Sequence, residues 1–503
     1  MSGPKGRGVA WTEERGTSDE GRGRLEAPRR QQGKHGKRVA VIGGGLAGIA
    51  AAIALAEGGA DVTLLEARPR LGGATCSFSR DGLIVDTGQH VFLGCCSAYR
   101  GLLAKLGMTE HAPLQDRFDV TVLAPGANGQ PRKGKLRRTV LPGPLHMLPA
   151  LGRYPFLSLA ERARVSRPAL AMRFVDPADP RADTQRFGDW LAARGQSERT
   201  RRALWDLFSV SALNIAGDDA SLALAAVVVK TGLLGKNNAA DIGVAALPLG
   251  ELHGDAAATL LAKLGAQVAL ATKVSAIEVG AIEPGEDGGF VVRLARDASL
   301  GPEIAADAVV VAVPHEKAAP LIPPGTLPDG TVEGWAGLGA SPIVNVHVIY
   351  DRPVMDLPFA AAIDSPVQWV FDRTKISGIS VPHHGRPGHQ YLAISLSAAD
   401  AYADVPAAAL REQFLPALAE LFPAARDAHV AEFFVTRERR ATFRQAPGSA
   451  VLRPKAATRR PGLVLAGAWT DTGWPDTMEG AVRSGLAAAL ELKASLSTIG
   501  VRQ

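Results

Sequence analysis

A short run, Arg38-Val-Ala-Val-Ile42, passes directly into Gly43-Gly-Gly-Leu-Ala-Gly48, and this junction restricts the fold more than any other feature of the chain. The run is apolar and β-branched, as expected for a strand buried on both faces of a parallel sheet. The glycines at Gly43, Gly45 and Gly48 have G-x-G-x-x-G spacing. Residues 49–57 are Ala-rich and helix-forming, and Gly58-Gly59 ends that helix. Asp61-Val-Thr-Leu-Leu65 supplies a second strand, with Glu66 at its end. In such a βαβ unit the first glycine permits a tight turn, and the second lets the backbone approach a pyrophosphate. The third lets helix and strand pack closely. The helix start, with Leu46 and Ala47, presents free N–H groups and a positive dipole end to the phosphates. Glu66 is placed to accept hydrogen bonds from ribose hydroxyls, which favours an unphosphorylated adenosine ribose, as in FAD or NAD, over NADP. An incidental glycine-rich turn would not deliver strand, glycines, helix, second strand and acid in this order.

Composition sets the outer limits. At 503 residues the chain exceeds one ordinary core, so two or more domains are expected. Apolar residues at 46% and charged residues at 21% fit a globular protein. Three cysteines (Cys76, Cys95 and Cys96) exclude a disulfide framework and lack ligand-spaced partners, so no metal site is expected. A reducing compartment is the simple reading, and the neighbouring Cys95–Cys96 pair reads as small buried hydrophobes, the alternative being a redox-active pair. No stretch reaches the roughly 18 apolar residues that span a bilayer. Met1 to Lys37 lacks the apolar centre of a signal peptide and reads as a disordered extension. Of the net charge of +6, five units lie between Met1 and Arg38, where ten Lys/Arg meet five Asp/Glu. The remainder is near neutral and carries no nucleic-acid motif, so no nucleic-acid partner is expected.

Two further segments separate the dinucleotide candidates. After Glu66 the chain reads Ala67-Arg-Pro-Arg-Leu-Gly72-Gly73-Ala74-Thr75-Cys-Ser-Phe78, then Leu83-Ile-Val-Asp-Thr-Gly88-Gln89-His90. Near the other end, Pro461-Gly-Leu-Val-Leu-Ala-Gly467-Ala468 is a buried strand ending in glycine. It is followed by Trp469-Thr-Asp471 and by Gly473-Trp474-Pro-Asp-Thr-Met478-Glu479-Gly-Ala481-Val-Arg-Ser-Gly485, which leads into an Ala-rich helix. Both segments resemble those of the amine oxidase and phytoene desaturase group of flavoproteins. The resemblance implies FAD as cofactor. It implies that the backbone at Gly72-Gly73 and the neighbouring Ala67, Ala74, Thr75, Gly88 and Gln89 passes close to the pyrophosphate and flavin. It also implies that Gly467 and Asp471 serve the ribityl or phosphate region, and that Val274 meets the adenine through its backbone. The helix start at Met478, Glu479 and Ala481 would direct N–H groups at the flavin's pyrimidine edge, where negative charge grows on reduction.

Within that group three strings are similar to the hydroxysqualene dehydroxylases: Asp86-Thr-Gly-Gln-His-Val-Phe-Leu-Gly-Cys-Cys96, Leu204-Trp-Asp-Leu207 with Ala212-Leu-Asn214, and residues 474–485. The resemblance runs from about Arg38 to Leu492. It departs from the group at Ala74, where Arg is usual, and at Thr87, where Asn is frequent; Arg68 and Arg70 are the nearby guanidinium groups that could replace the missing one. What the resemblance implies is reductive removal of a hydroxyl from a long allylic isoprenoid alcohol. His90, with Gln89, is then the candidate polar or proton-transferring group, against the plainer reading of a histidine that fixes its loop. Trp474 is either a ring beside the flavin or cationic centre or a packing aromatic. A carotenoid desaturase or isomerase, an amine oxidase, and a flavin-binding protein without turnover remain competing readings. No second glycine motif in a βαβ setting marks a built-in nicotinamide site, so an external electron donor is expected.

The expected fold class is α/β: a discontinuous Rossmann-like FAD-binding domain with a mixed α+β substrate-binding domain. The cofactor domain is assigned to residues 38–105, 240–335 and 455–495, and the substrate domain to 106–239 and 336–454. In the latter, residues 131–173 hold ten Lys/Arg and one acid, Glu161, interspersed with apolar residues. This stretch suits an anionic membrane surface, the alternative being a solvated basic face. The location expected is cytoplasmic, with peripheral attachment to the inner face of the cytoplasmic membrane if the first of these holds.

Overall fold

Five parallel strands form the sheet that the opening motif demands. Their spatial order is Leu463–Leu465, Ala308–Val311, Arg38–Ile42, Asp61–Leu65 and Gln267–Ala269. These contacts come from a computed structural model that describes residues 36–143, 145–280, 289–295, 298, 300–379 and 386–500, with side chains to 495. The N-terminal extension to residue 35 lies outside the described residues. Sequence neighbours 38–42 and 61–65 pair in register, Val41 opposite Leu64, while the other strands arrive from hundreds of residues away.

Strand periodicity explains the layers. Val39, Val41, Val62 and Leu64 point to one face, where they pack with helices Leu46–Glu57 and Met478–Gly500. Ala40, Ile42, Leu65, Val309 and Val311 point to the other face, toward Phe290, Val292 and Leu294 of a three-stranded antiparallel layer. Both faces are covered, which is why these strands read as unbroken apolar runs. Residues 306–314 resemble one buried strand in sequence, but Ala306 ends one strand and Ala308–Val311 forms another. Glu303–Ala306 pairs in the antiparallel layer and Ala308–Val311 in the parallel sheet. Asp307 sits at the switch, its carboxylate accepting from the backbone N–H of Arg38 at 2.7 Å and pairing with the Arg38 guanidinium at 2.9 Å.

A seven-stranded sheet makes up the second large layer, in the order Val430–Thr442, Ser341–Tyr350, Gln390–Leu396, Trp369–Asp372, Phe359–Ala362, Asp119–Ala124 and Arg132–Arg137. One pairing is parallel, Phe359–Ala362 with Asp119–Ala124, and the rest are antiparallel. On the strand Ser341–Tyr350, Val344, Val346 and Val348 pack with Leu410, Phe414 and Leu418 of helix Ala407–Leu421. The alternate residues Asn345, His347 and Ile349 face the other way. Ile349 joins Leu83 and Val85 of the hairpin Ser77–Arg80/Leu83–Asp86 in a small apolar cluster. That hairpin turns at Asp81-Gly82, both with positive φ (49° and 82°), the dipeptide such a tight turn favours. It leads into Asp86 and Thr87, and Thr87 bonds both to Ala74 and to Asn345 of the large sheet.

Candidate active site

The glycine loop is built by close approach. A Cβ on Gly48 would lie 1.8 Å from Gly43 O, and one on Gly485 would lie 2.1 Å from Ala47 O, so helix 46–57 meets both its own strand and the C-terminal helix at backbone distance. The double glycine lies against the same loop. Gly72 N–H donates to Gly44 O at 2.8 Å, and a Cβ on Gly73 would come within 2.9 Å of the Gly45 Cα. Glu66 holds this cradle: its carboxylate accepts from Gly44 N–H at 2.6 Å and Arg68 N–H at 2.8 Å. A carboxylate has about four acceptor positions, so capacity remains for ribose hydroxyls. Arg68 itself is exposed, whereas Arg70 Nε is buried without a hydrogen-bond partner among the described residues. Arg70 is thus the better stand-in for the guanidinium missing at Ala74. Val274 begins the strand Val274–Gly280 and is buried.

The C-terminal motif is organised by a residue the sequence did not single out. Arg453, almost fully buried, sends its guanidinium to the carbonyls of Ala468 (3.1 Å), Trp469 (3.3 Å), Thr470 (2.6 Å) and Trp474 (2.7 Å). It therefore shapes the loop that carries Asp471 and Trp474. Gly467 N–H donates to Ser484 Oγ at 2.8 Å, tying strand end to helix. The Glu479 carboxylate is spent on the start of another helix, Ser97–Lys105, accepting from Ala98 and Tyr99 N–H and pairing with Arg483. Only its backbone is left for a cofactor. One face of the Trp474 ring already carries the Arg483 guanidinium, 4.6 Å from the centroid, which leaves at most the other face for a second cation or ring.

Asp476, two residues before that helix, is pushed up to about 6 by burial, against the Phe443 N–H that it accepts and the nearby Arg453 charge; Glu316 adds to the rise. A carboxyl whose folded pKa exceeds its unfolded value favours folding at low pH, and this advantage is lost as pH rises from about 4 through about 6. Asp476→Asn should therefore gain stability relative to wild type over that window, by up to ~3 kcal/mol. Urea melts at pH 4 and pH 8 test this, and an unchanged pH dependence would refute it.

Between the cradle and the large sheet lies the segment Asp86–His90. The Thr87 hydroxyl is 2.6 Å from Ala74 O and 2.8 Å from Cys76 O, and thus staples this segment to the double-glycine loop. Asn345 Nδ2 donates to Thr87 O at 3.3 Å from the large sheet. His90 folds back over Gly88, where a Cβ would sit 3.1 Å from its Nε2. Burial lowers the His90 pKa, partly offset by the Asp86 charge and the Ala74 backbone, with Arg373 acting in the same direction as burial. Behind the loop, His253 Nδ1 lies 3.2 Å from Thr75 O and its Nε2 2.7 Å from the Tyr99 hydroxyl. Because a carbonyl can only accept, the proton is on Nδ1 and Nε2 accepts from Tyr99. Burial brings His253 down to about 4, in keeping with this neutral tautomer.

A tight crevice lies beside His90. Gln89, His90, Asp86 and Arg373 supply its polar lining, and Val91, Val244, Ala245, Leu249 and Phe371 its apolar lining. Arg373 forms a buried ion pair with Asp86, across 287 residues of sequence. Nothing local in the sequence marks Arg373, since it follows an ordinary edge of the strand Trp369–Asp372. The structure thus brings Gln89 and His90 to one pocket. Trp474 is not among its lining residues.

These features fit a flavin dinucleotide: a backbone cradle without Cβ atoms, an acid with spare acceptor capacity beside it, an orphaned buried guanidinium nitrogen and a helix start at Met478. The model for flavin-containing amine oxidoreductases matches residues 46–492. The chain belongs to this family, in its hydroxysqualene dehydroxylase branch. It is an FAD-dependent oxidoreductase. Over 469 residues it is 30% identical to the hydroxysqualene dehydroxylase of Rhodopseudomonas palustris, covering 90% of this chain and 97% of that one. A zeta-carotene desaturase of Zea mays is 26% identical, covering 89% and 82%. Among solved structures, cyclohexylamine oxidase from Brevibacterium oxydans shares the fold with a TM-score of 0.66, at 19% identity, over 92% of this chain and all of that one (100%).

Proposed function

We propose that this protein reductively dehydroxylates hydroxysqualene to squalene, with His90 and Gln89 at the reacting end of the pocket. The similarity to hydroxysqualene dehydroxylases over nearly the whole chain carries this reading. When bound, reduced FAD supplies the hydride. Residues 38–105, 240–335 and 455–495 form the cofactor domain, and 106–239 with 336–454 the substrate domain. Within the first, Gly43, Gly45, Leu46, Ala47, Gly48, Glu66, Ala67, Gly72, Gly73, Ala74, Thr75, Gly88, Val274, Gly467, Asp471, Met478, Glu479 and Ala481 hold the cofactor. His90 passes a proton to the departing hydroxyl, Gln89 orients that oxygen, and Trp474 borders the cofactor with its free ring face. The apolar walls exclude water from the cationic carbon. An external donor returns electrons to the flavin.

Anaerobic incubation of the reduced holoenzyme with hydroxysqualene, phytoene or a polyamine tests the assignment. Squalene should appear from the first substrate only, and turnover of phytoene or the amine instead would replace the proposal. Since His90 is depressed below the usual histidine value by burial, its protonated form grows only as pH falls. The rate should rise below pH ~6.5, and His90→Gln should flatten that rise while lowering kcat about 10²-fold or more. An unaltered pH profile in the variant would exclude the role.

We further propose that residues 131–173 rest on the inner, anionic face of the cytoplasmic membrane. Half of the large hydrophobic side chains exposed among the described residues fall between 140 and 174, including Val140 (85% exposed), Leu159 (78%) and Phe174 (89%). They are interspersed with Arg153, Arg164, Arg167 and Arg173. No helix among the described residues is long and apolar enough to cross a membrane. Arg162 turns inward to Gly152 O and Leu157 O, so the sharper variant is Arg164→Glu/Arg167→Glu with Phe174→Ser. It should bind phosphatidylserine vesicles at least about tenfold more weakly. Equal sedimentation of variant and wild type would remove the membrane role.

A further inference from the structure

The pocket beside His90 has a polar donor with no task in the scheme above. Arg373 is fixed from two directions: its backbone N–H donates to Tyr391 O at 2.8 Å, and its Nη2 is held by Asp86. Asp86 in turn has no freedom to move, because its carboxylate also accepts from Ser77 Oγ at 2.6 Å and Leu249 N–H at 3.0 Å. The Arg373 side chain is 7% exposed, yet among the described residues its Nε and Nη1 make no hydrogen bond. These planar N–H groups belong to a residue that lines the pocket together with apolar residues such as Val91, Val244 and Phe371. A largely buried side chain whose remaining N–H groups have no protein acceptor gains a hydrogen bond from a ligand offering one oxygen. A wholly hydrocarbon chain offers none.

We propose that Arg373, locked by Asp86, binds the hydroxyl oxygen of a long isoprenoid alcohol and makes this pocket select the alcohol over its parent hydrocarbon. The inference rests on the dehydroxylase reading for its substrate class but not on turnover. The Asp86–Arg373 pair is neutral overall, so it presents donors to the oxygen without setting a net positive charge against a cationic carbon. A pocket with a donor built for one oxygen penalises the ligand that lacks it, whereas an apolar slot scarcely distinguishes the two. One charge-assisted hydrogen bond of this kind corresponds to about 10- to 100-fold in affinity.

The test uses the oxidised holoenzyme in detergent micelles of fixed composition, titrated with hydroxysqualene or squalene and read by perturbation of the flavin absorbance. Wild type should bind the alcohol about 10- to 100-fold more tightly than the hydrocarbon. Arg373→Lys keeps a cation beside Asp86 but loses the fork. Asp86→Asn/Arg373→Gln removes both charges together. In each, the alcohol's advantage should fall by about tenfold or more, Gln89 and His90 retaining the remainder, while squalene affinity and bound FAD are unchanged. A purely structural ion pair would alter FAD retention or melting and leave the ratio of the two affinities alone. Variants that keep the wild-type ratio overturn the proposal, and so does a wild type that binds both ligands equally, a measurement that needs no variant. Alcohol preference without squalene formation would overturn the reaction and keep the site. Squalene formation with an unchanged ratio in the variants would do the reverse.

Discussion

Asp86→Ala should destabilise the fold by about 3–5 kcal/mol, the usual result of leaving one half of a buried ion pair without its partner. Both members are nearly inaccessible, at 3% and 7% of the side-chain surface, so water cannot replace the lost charge on Arg373. The same substitution strands the Ser77 hydroxyl and the Leu249 N–H. Urea unfolding should show the midpoint shift. Asp86→Asn should lose less, since an amide oxygen still accepts. Asp86→Ala/Arg373→Met should recover much of the loss, because the cycle removes both charges. A single variant within 1 kcal/mol of wild type would show that the guanidinium finds other partners, and would weaken the fixed geometry on which alcohol recognition depends.

Gly73→Val should give an apoprotein. Gly73 has φ +58°, and its Cβ would lie 2.9 Å from the Gly45 Cα, so the side chain would wedge open the two backbones that form the cradle. The contact is backbone on backbone, and no rotamer relieves it. A β-branched residue also adds left-handed strain of roughly 1–2 kcal/mol. Gly59→Ala is the control. Gly59 has φ +86° but nothing within 4 Å of the added Cβ, so only strain of about 1 kcal/mol is expected, with FAD retained. The visible flavin band of the purified proteins, together with their melting temperatures, separates the outcomes. Flavin bound at wild-type stoichiometry in Gly73→Val would mean that the double glycine is not part of the cradle.

The two variants mark the boundary between what was legible in the chain and what was not. Gly43 to Glu66 lies within one βαβ unit, and each residue's task depends on neighbours a few positions away. Spacing alone therefore revealed it. Gly72-Gly73 and the motif at 467–485 were legible through resemblance, because their function is carried by backbone and glycine is conspicuous in sequence. The apolar run at 306–314 resembles a single strand. Apolar pattern cannot show that Asp307, held by Arg38, switches the chain from one sheet to another.

Arg373 and Arg453 left no such trace. Each is one arginine among many in an Arg-rich chain, and its meaning comes from partners that the fold brings together: Asp86 for the first, the carbonyls of 468–474 for the second. His90 was visible in the sequence, but not that burial lowers its pKa or that it lies over Gly88. The sequence by itself determined the cofactor, because a dinucleotide cradle is local backbone geometry written in glycines and one acid. The tertiary structure decided the chemistry of the pocket, because charge, burial and hydrogen-bond supply there are set by side chains hundreds of residues apart.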